Sequence, residues 1–436
     1  MPLVTVLAGI VLLLLLIIKK LNPLLSLLIS SVITGLLSGM PLSKITAAIQ
    51  NGAGSTLGNV AIVISAGAIL GKWMEETGAA YSITQALIKR FGIKNIQWAV
   101  MLTALIVGIP MFYNAGFVIL VPLIFSLAAE TGLPLLYLAM PMAASLSVTH
   151  GLLPPHPSPV ALASLFKADV GKTLLYGLII AVPAVIIAGP LLGKLIIKIN
   201  SSAGNKFLQA TVKEKKDTLS TRVSFIIALL PVCIILCSVL LSFLFTSNTS
   251  AELSKFIGDP NIAFLISLII TIIILTINKK YTLTQLMQWA NEGVSSVAMI
   301  IMIIAAGGVF KQVLIDAGVG EYMKNISQEF QLSPLVLGWT IAALLRVSVG
   351  SATVAALTAA GIVSPLISGN ISPELMVLAV GSGSLMFSHV NDTGFWMFKE
   401  YFNLSVKQTF LSWTVMETIV SILGLIGVLV INIFIH

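Results

Sequence analysis

Residues Ser147 to Pro159 read SVTHGLLPPHPSP, and this stretch decides the fold. It carries two of the chain's four histidines, four prolines and three hydroxyl side chains, inside a sequence that is 57% hydrophobic. A helix cannot keep its backbone hydrogen bonds through so many prolines. The chain is therefore expected to unwind here, and unwound backbone at membrane depth is tolerated only where it lines a cavity or is buried in protein. A second such stretch, FSHVNDTGFWMFKEYF from Phe387 to Phe402, follows about 240 residues later. The two are expected to form the halves of one binding site.

The surroundings define the class. Only 9% of the 436 residues are charged, against roughly 25% in a soluble domain, so the chain reads as an integral membrane protein. Its net charge of +8 is spread through loops between apolar spans, without the clustered stripe that nucleic acid requires. Such spacing orients helices against an anionic inner leaflet. Cys233 and Cys237 stand four apart in an apolar run and read as filler facing lipid or a neighbouring helix. No basic region precedes the first apolar run, and Lys19 and Lys20 follow it, so it reads as a retained span.

Apolar runs long enough to cross a bilayer fall near 2–18, 22–38, 56–74, 173–197, 223–246, 260–278, 294–314 and 409–435. Two more regions are interrupted by polar tips: 97–129 by GIPMFYNAGF and 334–368 by RVSVGSAT. Regions 134–168 and 373–402 hold the unwound stretches. The halves also match each other at a nearly constant offset. A shift of 240 pairs Asn51 with Asn291, Ser55 with Ser295, Ile64 with Ile304, Gly67 with Gly307 and Gly78 with Gly318. Nearby shifts pair Trp98 with Trp339, Ser145 with Ser384 and His150 with His389.

With the N-terminus outside and five crossings plus a re-entrant hairpin per half, most of the 24 basic residues fall inside. Lys44, Lys167, Lys172, Lys255, Lys311 and Lys324 fall outside, and Arg346 lies in a hairpin. An odd number of crossings inverts the second half. The expected fold is an all-α polytopic membrane protein with an inverted-topology repeat. It has about 10 transmembrane helices, two re-entrant helical hairpins and two broken helices. The first repeat covers 1–199, a cytoplasmic linker 200–221 and the second repeat 222–436, with both termini outside.

Inverted repeats with broken helices are the signature of secondary transporters. In the first stretch Ser147, Thr149 and His150 offer hydroxyls and an imidazole to a polar solute. The plainer alternative is a packed proline kink with His150 bonded to a carbonyl. In the second, Ser388, His389, Asn391, Asp392 and Thr393 form the richest polar cluster outside the loops. Asp392 is a candidate to bind a coupling ion, or else it pairs with Lys399 or caps the following half-helix. Arg346 at membrane depth needs a partner, either an anionic substrate or Asp392, unless it snorkels to the interface. Ser351 and Thr353 could set a half-helix N-terminus at an anion. Tyr113 and Asn114 mark the first hairpin tip, or a plain turn. The coupling candidates are Asp392, His150 and His389. Gly171-Lys172-Thr173 mimics a phosphate-binding loop but lacks the glycine five residues earlier, where Phe166 stands. Gly381-Ser382-Gly383-Ser384 beside His389 makes a poor protease site, and no zinc pattern is present. No enzyme activity, metal or cofactor is expected.

The motifs GAILGKWMEETGAA (Gly67 to Ala80), SLSVTHGLLPPHPSP (Ser145 to Pro159), RVSVGSATVAALTAAGI (Arg346 to Ile362) and SHVNDTGFWMFKEYFNL (Ser388 to Leu404) resemble the gluconate permease family, within the ion-transporter superfamily. The run FYNAGFVILVPLIFSLA after Gln97 does so too, and the resemblance covers essentially the whole chain. It implies a proton-coupled symporter in the bacterial inner membrane, importing gluconate or a related small hydroxylated carboxylate. It also implies a homodimer with a scaffold and a moving transport domain. One departure is Asn114, where members often carry an acid; another is Ser158, where glycine is usual. A sodium-coupled or D-serine carrier, and an anion channel or sensor, are the rival readings.

Overall fold

The computed structural model describes residues 2–197, 218–244, 248–277, 281–318, 333–364, 367 and 371–435. Among them the chain is helical, with no strand. Most of the expected linker over 200–221, and Lys324, lie outside the described residues.

Helices α1 (Pro2–Ile18), α2 (Pro23–Leu37), α3 (Leu42–Glu76) and α4 (Ala79–Phe91) lead into a hairpin of α5 (Ile96–Gly108) and α6 (Tyr113–Thr131). A broken pair follows, α7 (Leu135–Leu152) and α8 (Pro157–Phe166), and then α9 (Val170–Leu195). Next come α10 (Thr221–Leu244), α11 (Asn248–Gly258), α12 (Pro260–Ile277) and α13 (Leu283–Asp316). A second hairpin, α14 (Pro334–Val349) and α15 (Ala352–Val363), precedes a second broken pair, α16 (Pro373–Gly383) and α17 (Thr393–Tyr401). The chain ends on α18 (Val406–Ile435).

Taking α7 and α8 together, eight helical segments among the described residues are long and apolar enough to cross a membrane. Their outward faces are apolar. Leu265, Ile269, Ile273 and Ile277 form an exposed row at helical spacing on α12, a face suited to lipid rather than water. Some hydroxyls inside the bundle are satisfied by their own helix. Ser31 donates to Leu27 O at 2.6 Å and Thr34 to Ser30 O at 2.6 Å, each one turn back in α2. Helix α4 meets the following helical segment (Ile93–Gly108) at 109°, with Gly92 at φ +70° in the corner. The apolar runs alone did not reveal this amphipathic elbow.

Two helices form the spine. Helix α3 has 35 residues and α13 has 34, about 50 Å each at 1.5 Å per residue, longer than a single crossing needs. They touch through glycines. A Cβ on Gly52 would lie 2.6 Å from Gly308 O, and one on Gly293 would lie 2.8 Å from Ala68 O. As residue number rises along α3 it falls along α13, so the pair is antiparallel. Small residues at such a seam let backbones approach where lipid gives no hydrophobic drive. Trp73 Nε1 closes one end by donating to Leu286 O at 2.9 Å.

Both expected breaks are present, with shifted edges. The first is shorter than expected. Helix α7 runs through Ser147, Thr149 and His150 to Leu152, and only residues 153–156 leave the helix. Prolines disturb the turn they occupy and the carbonyls just before it, and Leu153 N still donates to Thr149 O at 3.2 Å. Pro157 then opens α8 at its first position, where a missing N–H costs nothing. The second break starts earlier, after Gly383, and ends at Asp392, the N-cap of α17. Helices α9 and α18 each contain a π-helical turn, Ile187–Leu191 and Phe410–Thr414.

Candidate functional site

The two breaks and the two hairpin tips converge. A Cβ on Gly381 would lie 2.4 Å from Gly151 O, so the broken helices touch beside their breaks. A Cβ on Gly71 would lie 2.9 Å from Pro110 O, which seats the first hairpin tip on α3. Gly350, at φ +81°, is the second tip, and a Cβ there would meet Asn391 O at 2.2 Å. A glycine is required by both its left-handed backbone and its closeness to the second break.

Between these parts lies a cavity of about 370 Å³, at the small end of the range for small-molecule sites. Four helices open onto it by their N-termini. Helix α6 presents Tyr113 and Asn114, α8 presents Pro157, α15 presents Ala352 and Thr353, and α17 presents Thr393 and Gly394. The N-caps of α6 and α8, Phe112 and His156, give no side-chain capping bond. The positive ends of four helix dipoles therefore face one space, an arrangement that favours an anion.

Among the described residues, the one arginine on the cavity wall sits at its second-hairpin side. Arg346 is 3% exposed. Its Nη2 lies 2.5 Å from Asp392 Oδ2, and its Nη1 donates to Gly350 O. Asp392 Oδ2 also accepts from Ser388 Oγ at 2.5 Å, while Oδ1 accepts from Gly394 N at 3.0 Å as the cap of α17. Trp413 Nε1 donates to Ser388 Oγ at 2.7 Å, and Thr414 Oγ1 donates to Ser388 O at 2.6 Å. One network thus joins the hairpin, the break and α18. Of the alternatives for Arg346, pairing with Asp392 is the one observed. Asp392 is also the helix cap, and Lys399 pairs with Glu400 instead.

Of the residues singled out from sequence, Tyr113, Asn114, Ser147, His150 and Arg346 line the cavity, as do Ser351, Thr353, Asn391, Asp392 and Thr393. Three stand behind it. Thr149 donates to Leu146 O at 2.9 Å and packs against Gly108. Ser388 backs the cavity wall through Asp392 and Trp413. His389 Nε2 lies 3.0 Å from Val347 O, where Asn391 Nδ2 also donates at 2.8 Å. Val347 is in the last turn of α14, whose carbonyls have no helical partners. His156 does the same for the first hairpin, its Nε2 2.6 Å from Gly108 O at the end of α5. His150 sits on the cavity wall, with its ring centroid 6.2 Å from that of Tyr113 and 5.7 Å from that of His156.

Sequence reasoning missed Glu417. This acid is 2% exposed on α18, lines the cavity and accepts from Ser147 Oγ through Oε1. A signal was available: a carboxylate inside an apolar span is a functional candidate by default.

A helical membrane protein with two hairpins, two broken helices and an anion-favouring cavity where they meet has the build of a permease. The GntP family permease model matches residues 1–434. A high-affinity gluconate transporter of Escherichia coli K12 is 46% identical over 99% of each chain. The Gnt-II system L-idonate transporter of the same organism is 46% identical over the whole of both. Among solved structures, the YdaH transporter of Alcanivorax borkumensis, described as having an unusual topology, superposes with a TM-score of 0.65. It is 15% identical and covered over 98% of its chain by 97% of this one, a likeness of fold alone. The chain belongs to the GntP permease family. It is a multi-pass membrane permease and not an enzyme.

Proposed function

We propose that the protein is a secondary transporter that imports gluconate, or a closely related hydroxylated carboxylate, across the bacterial inner membrane with protons. The observation that carries this reading is the convergence of four helix N-termini and Arg346 on one cavity. A sugar-acid carboxylate suits the helix N-termini, and its hydroxyls suit Ser351, Thr353, Asn391 and Thr393. Relatives named for gluconate and for L-idonate, both at 46% identity, support a six-carbon hydroxy acid.

The reading includes two inverted repeats, 1–199 and 222–436, joined by the linker. The seam between α3 and α13 supports it. Gly52 meets Gly308, and Ala68 meets Gly293. A shift of 240 carries Ala68 to Gly308, and Gly52 to the neighbour of Gly293. Each contact is therefore the other with the halves exchanged, as a twofold axis demands, and the antiparallel sense makes that axis an inverting one. The order of parts agrees: long helix, hairpin, broken pair, and a helix with a π turn occur once in each half. Alternating access would then move the hairpins and breaks against the spine. The homodimer and the external termini rest on the family resemblance and the charge pattern.

Uptake of radiolabelled gluconate into liposomes containing the purified protein tests the reading, with pH and sodium gradients imposed separately. Saturable accumulation driven by an inward proton gradient is expected. Accumulation that follows sodium alone, or flux that neither saturates nor concentrates the solute, would overturn it.

A further inference from the structure

Two carboxylates face the cavity, and their surroundings differ in kind. Asp392 has a guanidinium, a hydroxyl and a backbone N–H on its two oxygens. Its charge is balanced and its lone pairs are engaged. Glu417 has one donor, Ser147 Oγ, on Oε1. Its Oε2 is buried and has no hydrogen-bond partner. The guanidinium that could neutralise it is held by Asp392 Oδ2 and Gly350 O.

A buried carboxylate without a counter-ion is expensive as an anion and acceptable as a neutral acid. Of the two, Glu417 can therefore exchange a proton without dismantling an ion pair. Its place suits that task. It bridges α18 to the last turns of α7, just before the first break. Four residues earlier on α18, Trp413 holds Ser388 of the second break. The titratable and charged groups facing it across the cavity are Tyr113 from α6, His150 from α7, Arg346 from α14 and Asp392 before α17. His156 from α8 stands behind His150.

We propose that Glu417 is the carboxyl that carries the coupling proton, with Asp392 holding Arg346 in place. The assignment rests on the proton-driven reading above. A proton on Glu417 removes a negative charge from the space a substrate carboxylate must enter. By linkage, the bound anion favours the protonated acid to the same extent. One proton then travels with one monovalent anion, and no net charge crosses.

Glu417→Gln keeps the shape and the acceptor for Ser147 but cannot release a proton. In liposomes loaded for gluconate counterflow, this variant is expected to exchange labelled for unlabelled gluconate at a rate nearly independent of pH. Accumulation driven by a pH gradient should fall at least about tenfold. Proton-driven accumulation in Glu417→Gln near the wild-type level would overturn the assignment while leaving the proton-coupled reading intact. A wild-type protein that responds only to sodium would overturn both.

Should Glu417→Gln prove inactive in both assays, Ser147→Ala decides. Its loss removes the one donor that favours the carboxylate form, so the pH at which uptake is half-maximal should rise by about one unit. An unmoved midpoint would overturn the proposal.

Discussion

Each hairpin is fastened to a break by a histidine that reaches the orphan carbonyls at the end of the hairpin's first arm, yet the two fastenings are built differently. At the first, His156 is 2% exposed, and its bond to Gly108 O at 2.6 Å lies among buried prolines and apolar side chains. At the second, His389 and Asn391 share Val347 O in an exposed position, and a buried Arg346–Asp392 pair carries the junction. The first junction is neutral and closed. The second is charged and partly open. Under the proposed reading the two similar junctions divide the labour, one as a fixed wall and the other as the place where an anion is met.

Removing the ion pair should have the largest effect. Breaking a buried pair from one side costs about 3–5 kcal/mol, because the remaining charge loses its partner. Arg346→Ala and Asp392→Ala should each lower the melting temperature sharply and abolish measurable gluconate uptake. The double variant Arg346→Met, Asp392→Asn should regain most of the thermal stability and none of the uptake. If transport returned with stability, the second junction would be scaffold like the first, and the contrast would disappear.

Gly350→Ala should come next. Its φ of +81° is strained for any side chain, and the new Cβ would press on Asn391 O at 2.2 Å. Left-handed backbone alone costs about 1–2 kcal/mol, and the overlap pushes the tip off the break. Uptake should fall about tenfold, and limited proteolysis should cut near the tip. An unchanged transport rate would mean that the tip need not seat against the break.

The histidines sharpen the contrast at lower energy. His156→Ala leaves a buried carbonyl unpaired, at a cost of about 1–3 kcal/mol. It should reduce stability while the KM for gluconate stays within about twofold. His389→Ala leaves Val347 O with its bond from Asn391 Nδ2 and should cost about 0.5–1.5 kcal/mol. Thermal melting of both variants checks the order, and a larger loss at His389 would reverse it.

The sequence revealed these parts unevenly, for physical reasons. Prolines and hydropathy located both breaks and the turns between α5 and α6 and between α14 and α15, because unwinding and burial in lipid are local demands. They overstated the first break, since Ser147 through Leu152 keep their helix although prolines follow. Which residues face the cavity depends on how helices rotate against each other. Thr149 and His150 are adjacent in sequence, yet only His150 lines the space. Arg346 was legible as a charge that needed a partner, and Asp392 was one of the two alternatives considered, beside an anionic substrate. Glu417 was passed over because α18 reads as one uninterrupted apolar span, and only packing against Ser147 turns that lone acid toward the site.

Asn114 offers the smallest change and a direct probe of the neutral junction. It sits in the first turn of α6, exposed on the cavity wall, where the family resemblance implies that members often carry an acid. Asn114→Asp places a carboxylate at a helix N-terminus, which should stabilise α6 by about 0.3–1 kcal/mol. The same charge repels the substrate anion across a partly solvated space, by about 0.5–1 kcal/mol, so KM should rise about two- to fivefold. The two effects separate by measurement, since melting temperature goes up while apparent affinity goes down. Raising the ionic strength should shrink the KM effect, because a charge open to solvent is screened. If Asn114→Asp instead moved the pH midpoint of uptake with KM unchanged, the first hairpin tip would take part in proton handling. The division between a neutral wall and a charged one would then fail at that residue.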